Sequence, residues 1–143
     1  MSNTRSACRT LIVEDDAGSR EALATFLRRR GYNVECAATV AAGRAKLTGG
    51  VTHLILDLRL PDGTGLRLLE RAQQQGLPVR VAVVTGLDKC DVVANAVLMH
   101  PDAFLTKPID FDDVIAWLEG GRPSLGEYLG GGGGGAWSPR SHW

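Results

Sequence analysis

The 143-residue chain has only three cysteines, and their placement argues against any structural use of sulfur. Cys8, Cys36 and Cys90 are odd in number, far apart and in no C-x-x-C pair, so neither a disulfide framework nor a zinc site is expected. Charge of one sign is missing too. Sixteen basic and 16 acidic residues leave a formal net charge of zero, which argues against a broad basic footprint for nucleic acid. The longest basic run, Arg28-Arg29-Arg30, closes a predicted helix, where cations suit the negative end of the dipole. There is no apolar stretch long enough to span a bilayer, and the first six residues contain no signal-peptide core. These absences point to a soluble cytoplasmic protein that makes no direct contact with nucleic acid or membrane. The length suits one domain.

What is present is a strict alternation. Short apolar runs at Thr10 to Val13, Asn33 to Ala37, His53 to Leu56, Val79 to Val84 and Ala103 to Thr106 are each followed by a helix-length amphipathic segment. Three of the runs are almost continuously apolar, as expected for strands covered on both faces, and those around Val34 and Phe104 read as edge strands. The first predicted helix groups Leu23, Phe26 and Leu27 and stops at Gly31, with Asp16 as its cap. The second starts from Thr39 and ends at Gly49-Gly50. The third carries Leu66, Leu69 and Ala72 and stops at Gly76. The fourth has Asp88 as N-cap and Asp91 in its first turn, and the fifth repeats this with Asp110 and Asp113 before Gly120-Gly121. Five βα units predict an α/β fold with a doubly wound parallel sheet, whose ligand sites lie beyond the carboxyl ends of the strands.

The reactive residues fall at those ends. The first strand runs into Glu14-Asp15-Asp16, the third into Asp57, the fourth into Thr85 and the fifth into Lys107. Carboxylates converging there repel one another without a cation, and oxygen-only ligands favour Mg²⁺ over Zn²⁺. Asp57 can attack phosphorus to form an acyl phosphate. Lys107 supplies an ammonium and Thr85 a hydroxyl toward the charge that develops in phosphoryl transfer, and Gly86 leaves room for the group to approach.

With these residues in place, the segments Leu11-Ile12-Val13-Glu14-Asp15-Asp16, Asp57-Leu58-Arg59-Leu60-Pro61-Asp62-Gly63-Thr64-Gly65, Val83-Val84-Thr85-Gly86 and Phe104-Leu105-Thr106-Lys107-Pro108 can be compared with known patterns. In this order and spacing, over about residues 8–119, they resemble the receiver domain of bacterial two-component response regulators. The resemblance implies a flavodoxin-like five-stranded parallel sheet of order 2-1-3-4-5 with five helices. It implies Asp57 as phosphoacceptor for a sensor histidine kinase or a histidine phosphotransfer protein. It further implies a Mg²⁺ site made of Asp15, Glu14 (through a metal-bound water), Asp57 and the backbone carbonyl of Arg59. Thr85 and Lys107 match the phosphoryl-binding pair, and Pro108 the proline that follows this lysine through a cis bond. Thr85 and Phe104 match the switch pair that relays phosphorylation to the face made by the fourth helix, fifth strand and fifth helix. That face would meet a downstream protein, an output domain of the same protein or a second copy in a homodimer.

The chain departs from the family pattern at several positions. Phe104 replaces the frequent tyrosine and has no hydroxyl. His100-Pro101 stands where a glycine usually ends the fourth helix, so His100 must take that glycine's backbone geometry. The fifth helix is short, and Arg59 puts a long cation at the mouth of the site. His53 and His100 read as structural residues, and Trp117 as core. Residues 120–143, with Gly130 to Gly135 and the tryptophans Trp137 and Trp143, read as a flexible tail with a disordered or appended end. Two other readings stand beside the phosphoacceptor: a phosphorylation-independent adaptor, and a small aspartate-nucleophile phosphohydrolase. The second needs an acid two residues past the nucleophile, where Arg59 stands instead.

Overall fold

A computed structural model describes residues 4–86 and 95–120. The expected caps at Asp88 and Asp91, the thiol of Cys90 and the tail from Gly121 lie outside the described residues. Five strands form one sheet in the order β2-β1-β3-β6-β7, which is the expected order 2-1-3-4-5 once a separate two-stranded ribbon is set aside. The strands are β1 (Arg9–Val13), β2 (Asn33–Ala37), β3 (His53–Asp57), β6 (Arg80–Thr85) and β7 (Ala103–Thr106). The ribbon pairs β4 (Arg59–Leu60) with β5 (Gly63–Thr64) and was not foreseen. Contacts divide the chain into two compact units, up to Val81 and from Ala82.

In the first unit, α1 (Thr4–Ala7) is an unpredicted single turn, followed by α2 (Ala17–Arg29), α3 (Val40–Lys46) and α4 (Leu66–Gln74). Asp16 caps α2 as expected, its carboxylate accepting from the Ser19 amide at 2.7 Å. The same helix stops where Gly31 takes φ 92°, with the Gly31 and Tyr32 amides bonding back to Arg28 and Leu27. Phe26 is only half-buried, because the Arg30 guanidinium rather than the core covers its ring, 3.8 Å from the centroid.

Thr39 caps α3 as expected, but the helix ends at Lys46 and not at Gly49-Gly50. Leu47 is the reason. Its backbone turns extended (φ −80°, ψ 92°) and its side chain drops into the core at 4% exposure. In α4 the fully buried pair is Leu68 and Leu69, with Leu66 half-exposed on the first turn.

The second unit contains α5, helical over residues 95–98, and α6 (Phe111–Leu118). Asp110 caps α6 by accepting from the Asp112 amide at 2.8 Å. Trp117 is core, 1% exposed. His100 takes φ 53°, the left-handed geometry expected of the residue standing in a glycine's place.

His53, on β3, is buried beside Arg80, and its Nδ1 lies 2.8 Å from the Thr52 hydroxyl. Burial first, and the Arg80 charge second, push its pKa down from 6.5 to about 4. As pH falls, the unfolded chain therefore takes up this proton before the folded one. The histidine's contribution to stability is full above 6.5 and is lost as pH drops toward 4. Between about pH 7.5 and about pH 5.5 urea unfolding should show about 1 kcal/mol lost through this residue. His53→Leu should flatten the slope by that amount, and an unchanged slope would exclude this source.

Candidate functional site

The parallel register of β1 and β3 builds the site. Val13 stands opposite Leu56, so the next residues, Glu14 and Asp57, emerge side by side. On the other flank the Glu14 amide donates to Ala37 of β2 at 3.0 Å, which ties the turn after β1 to both neighbours. Glu14 and Asp57 are 5% and 4% exposed, whereas Asp15 is exposed. One carboxylate oxygen from each of Glu14, Asp15 and Asp57 lies within 4.8 Å of the other two. The fold thus gathers the three expected acids.

Buried carboxylates this close need hydrogen bonds or a cation. Two backbone bonds supply part of the requirement. The Asp16 amide donates to Glu14 Oε2 at 3.1 Å, and the Arg59 amide to Asp57 Oδ1 at 3.0 Å. The donor set also fits a hard dication. A six-coordinate ion with metal–oxygen bonds of about 2.1 Å holds neighbouring oxygens about 3 Å apart and opposite ones about 4 Å apart, close to the span of the cluster. Nitrogen and sulfur ligands are absent from it, so the chemistry is that of Mg²⁺ or Ca²⁺ and not of Zn²⁺.

The loop after Asp57 is fastened at both ends. At its base, Gly65 packs flat on the Asp57 backbone. A Cβ on Gly65 would fall inside contact distance of the Asp57 carbonyl oxygen and 2.9 Å from Leu56 Cδ1. Gly65 itself has ordinary helical angles (φ −60°, ψ −19°), so the requirement is for space and not for backbone freedom. The Gly65 amide also donates to the Leu58 carbonyl at 2.9 Å. At the tip, the Asp62 carboxylate accepts from the Val40 and Ala41 amides at 2.7 and 3.0 Å and so caps α3 from outside. Those two amide bonds hold its pKa below 3.8. In the sequence Asp62 stands only as one residue of the motif after Asp57, since the helix it caps lies 22 residues away.

In the second unit, Thr85 ends β6 and is buried at 5% exposure, with Gly86 exposed just after it. Thr85 stands opposite Thr106 on β7, and the Lys107 amide donates to the Thr85 carbonyl at 3.0 Å. The Lys107–Pro108 peptide is cis. Phe104 pairs with Val83 and is 1% exposed, its ring wholly in the core.

Residues 10–119 match the response regulator receiver domain. The chain belongs to that family. Among its relatives are the acid tolerance regulatory protein ActR of Rhizobium meliloti (strain 1021) and the photosynthetic apparatus regulatory protein RegA of Rhodovulum sulfidophilum. They are 39% and 37% identical over 109 residues, 76% of this chain and 56% and 60% of theirs. The chain therefore spans little more than half the length of these curated relatives. A CheY-like receiver domain from Methanospirillum hungatei JF-1 superposes with a TM-score of 0.72 at 29% identity, covering 80% of this chain and 92% of that one. A Burkholderia pseudomallei response regulator, solved with a phosphorylated aspartic acid, a calcium ion and citrate, gives 0.71 at 26% identity, covering 88% and 73%.

Gly65→Ala should cost about 2–3 kcal/mol in urea unfolding, because backbone rather than a flexible side chain would have to move. Asp62→Ala should speed hydrogen exchange at the Val40 and Ala41 amides while leaving exchange within β1 unchanged. Unaltered rates at those two amides would show that Asp62 does not cap α3.

Proposed function

We propose that this receiver domain takes a phosphoryl group on Asp57 from a sensor histidine kinase or a histidine phosphotransfer protein, with Mg²⁺ at the acidic cluster. The carrying observation is the meeting of Glu14, Asp15 and Asp57 at adjacent strand ends within the family-matched residues. Asp15 and Asp57 would hold the ion directly, Glu14 through a water, and the Arg59 carbonyl would complete the protein ligands. Bound there, Mg²⁺ supplies positive charge toward the oxygens of the transferring group.

The chain's own residues do the rest. The Arg59 amide holds Asp57 Oδ1 and so orients the carboxylate that attacks phosphorus. As that P–O bond forms, the bond from phosphorus to the donor's imidazole nitrogen breaks, and the nitrogen keeps the electron pair. Thr85 and Lys107 form the phosphoryl-side pair, with a hydroxyl and an ammonium for the equatorial oxygens. Thr85 and Phe104 are the switch pair. The buried Phe104 ring supports an inward resting position, and it has no hydroxyl to stabilise an outward one.

We assign the receiver to residues 8–119 and a glycine-rich tail to residues 120–143, in a cytoplasmic protein. Among the described residues no helix is long and apolar enough to cross a membrane. Phosphorylation would change the affinity of the face formed by α5, β7 and α6 for a downstream protein, an attached output domain or a second copy of the chain. Family membership favours this signalling role over the hydrolase and the passive adaptor.

Incubation with Mg²⁺ and acetyl phosphate or phosphoramidate should add a single phosphoryl group by intact mass. Asp57→Asn should take up none, and labelling of that variant at the parental level would overturn the assignment.

A further inference from the structure

Arg20 stands in the first turn of α2, a turn that contains no acidic residue. A cation there faces the positive end of the helix dipole, the less favourable end for it. Its guanidinium reaches back past the helix start. Nη1 donates to the Glu14 carbonyl at 2.9 Å and, at longer range, to the Asp15 carbonyl at 3.4 Å. These are the carbonyls of the two consecutive acids that, with Asp57, make the cluster.

We propose that Arg20 is a positioning residue for the acid pair, holding the turn between β1 and α2 so that both carboxylates stay on Asp57. The inference rests on the metal-site reading given above. Three carboxylates within 4.8 Å repel, and the cheapest relief is for the turn to swing its acids outward. Glu14 resists through burial and its bond from the Asp16 amide. Asp15 is exposed and has no comparable packing, so its direction follows from its backbone. Arg20 grips that backbone through the two carbonyl oxygens and not through the carboxylates. An arginine suits the task because its longer side chain carries an N–H donor back past the helix start to both carbonyls.

The sign of the effect separates this role from that of a bystander charge. A cation near a metal site repels the metal, so a bystander guanidinium weakens binding and its removal tightens it. A positioning guanidinium does the reverse. Mn²⁺ serves as the probe, its free concentration read by electron paramagnetic resonance in the full chain without any phosphoryl donor. Arg20→Met should raise the Mn²⁺ dissociation constant about tenfold, and Arg20→Lys, which keeps the charge but whose nitrogen stands one bond closer to the backbone and falls short of the two carbonyls, should raise it as well. Metal-free unfolding midpoints establish that the variants are folded, and if the methionine variant is not, the lysine variant decides. Unchanged or tighter Mn²⁺ binding in the folded variants would overturn the proposal. If the parent binds Mn²⁺ yet takes up no phosphoryl group, the phosphoacceptor reading fails while the dissociation constants still decide the role of Arg20.

Discussion

The parallel pairing of β1 with β3 is the constraint on which the site depends. Leu11, Ile12 and Val13 face Leu54, Ile55 and Leu56 in register, and all six are 1% exposed or less. Slipping the pair by one residue would move every one of these side chains onto the other, equally covered face and break the close packing matched on each. The apolar core thus fixes the register, and the register fixes which polar residues leave the strands together. Glu14 and Asp57 are neighbours because Val13 and Leu56 are. Crowding carboxylates is unfavourable taken alone, and the strand ends can hold them because the hydrophobic burial beneath is worth far more.

Backbone chemistry then sets the details that side-chain packing leaves loose. On one side of the cluster the turn after β1 is fixed by the Glu14 amide on Ala37, the Asp16 amide on Glu14 and the Arg20 head group on two carbonyls. On the other side the loop after Asp57 is held by close contact at Gly65, the β4–β5 ribbon and the Asp62 cap. The acids are gathered by the sheet and aimed by these short-range fastenings. A change in either loop can therefore alter the chemistry while the core stays intact.

How much of this was legible follows from the range of each interaction. The strands were legible because burial on both faces writes continuous apolar runs, and β3 differs from its expected span only by including Asp57. Caps at Asp16, Thr39 and Asp110 were legible because cap and helix are adjacent in sequence. Asp62 and Gly65 stood inside a recognisable motif, yet their work is done on atoms elsewhere: Asp62 on amides 22 residues away, and Gly65 on a carbonyl that a Cβ would strike. Composition cannot reveal such contacts. Arg20 left one trace, a cation in a first turn where the dipole prefers an anion. The early end of α3 was hidden because nothing in the sequence distinguishes a Leu47 that continues the helix from one that turns into the core.

The chemistry and its readout rest on differently built parts of the chain. Asp57 ends β3, and Glu14 and Asp15 directly follow β1; both are internal strands paired on both sides, whose backbone cannot move without breaking two ladders. Phe104 stands on β7, a four-residue strand at the edge of the sheet, with a single ladder to hold it. Nearby in sequence, α5 exposes Val97 at 39% and Leu98 at 74%. Local opening is least costly where paired neighbours and buried contacts are fewest. Thr85 stands at the last rung between β6 and β7, so this edge strand is joined to the strand that ends in Thr85. The acid cluster thus rests on strands held by two ladders, and Phe104 on a strand held by one.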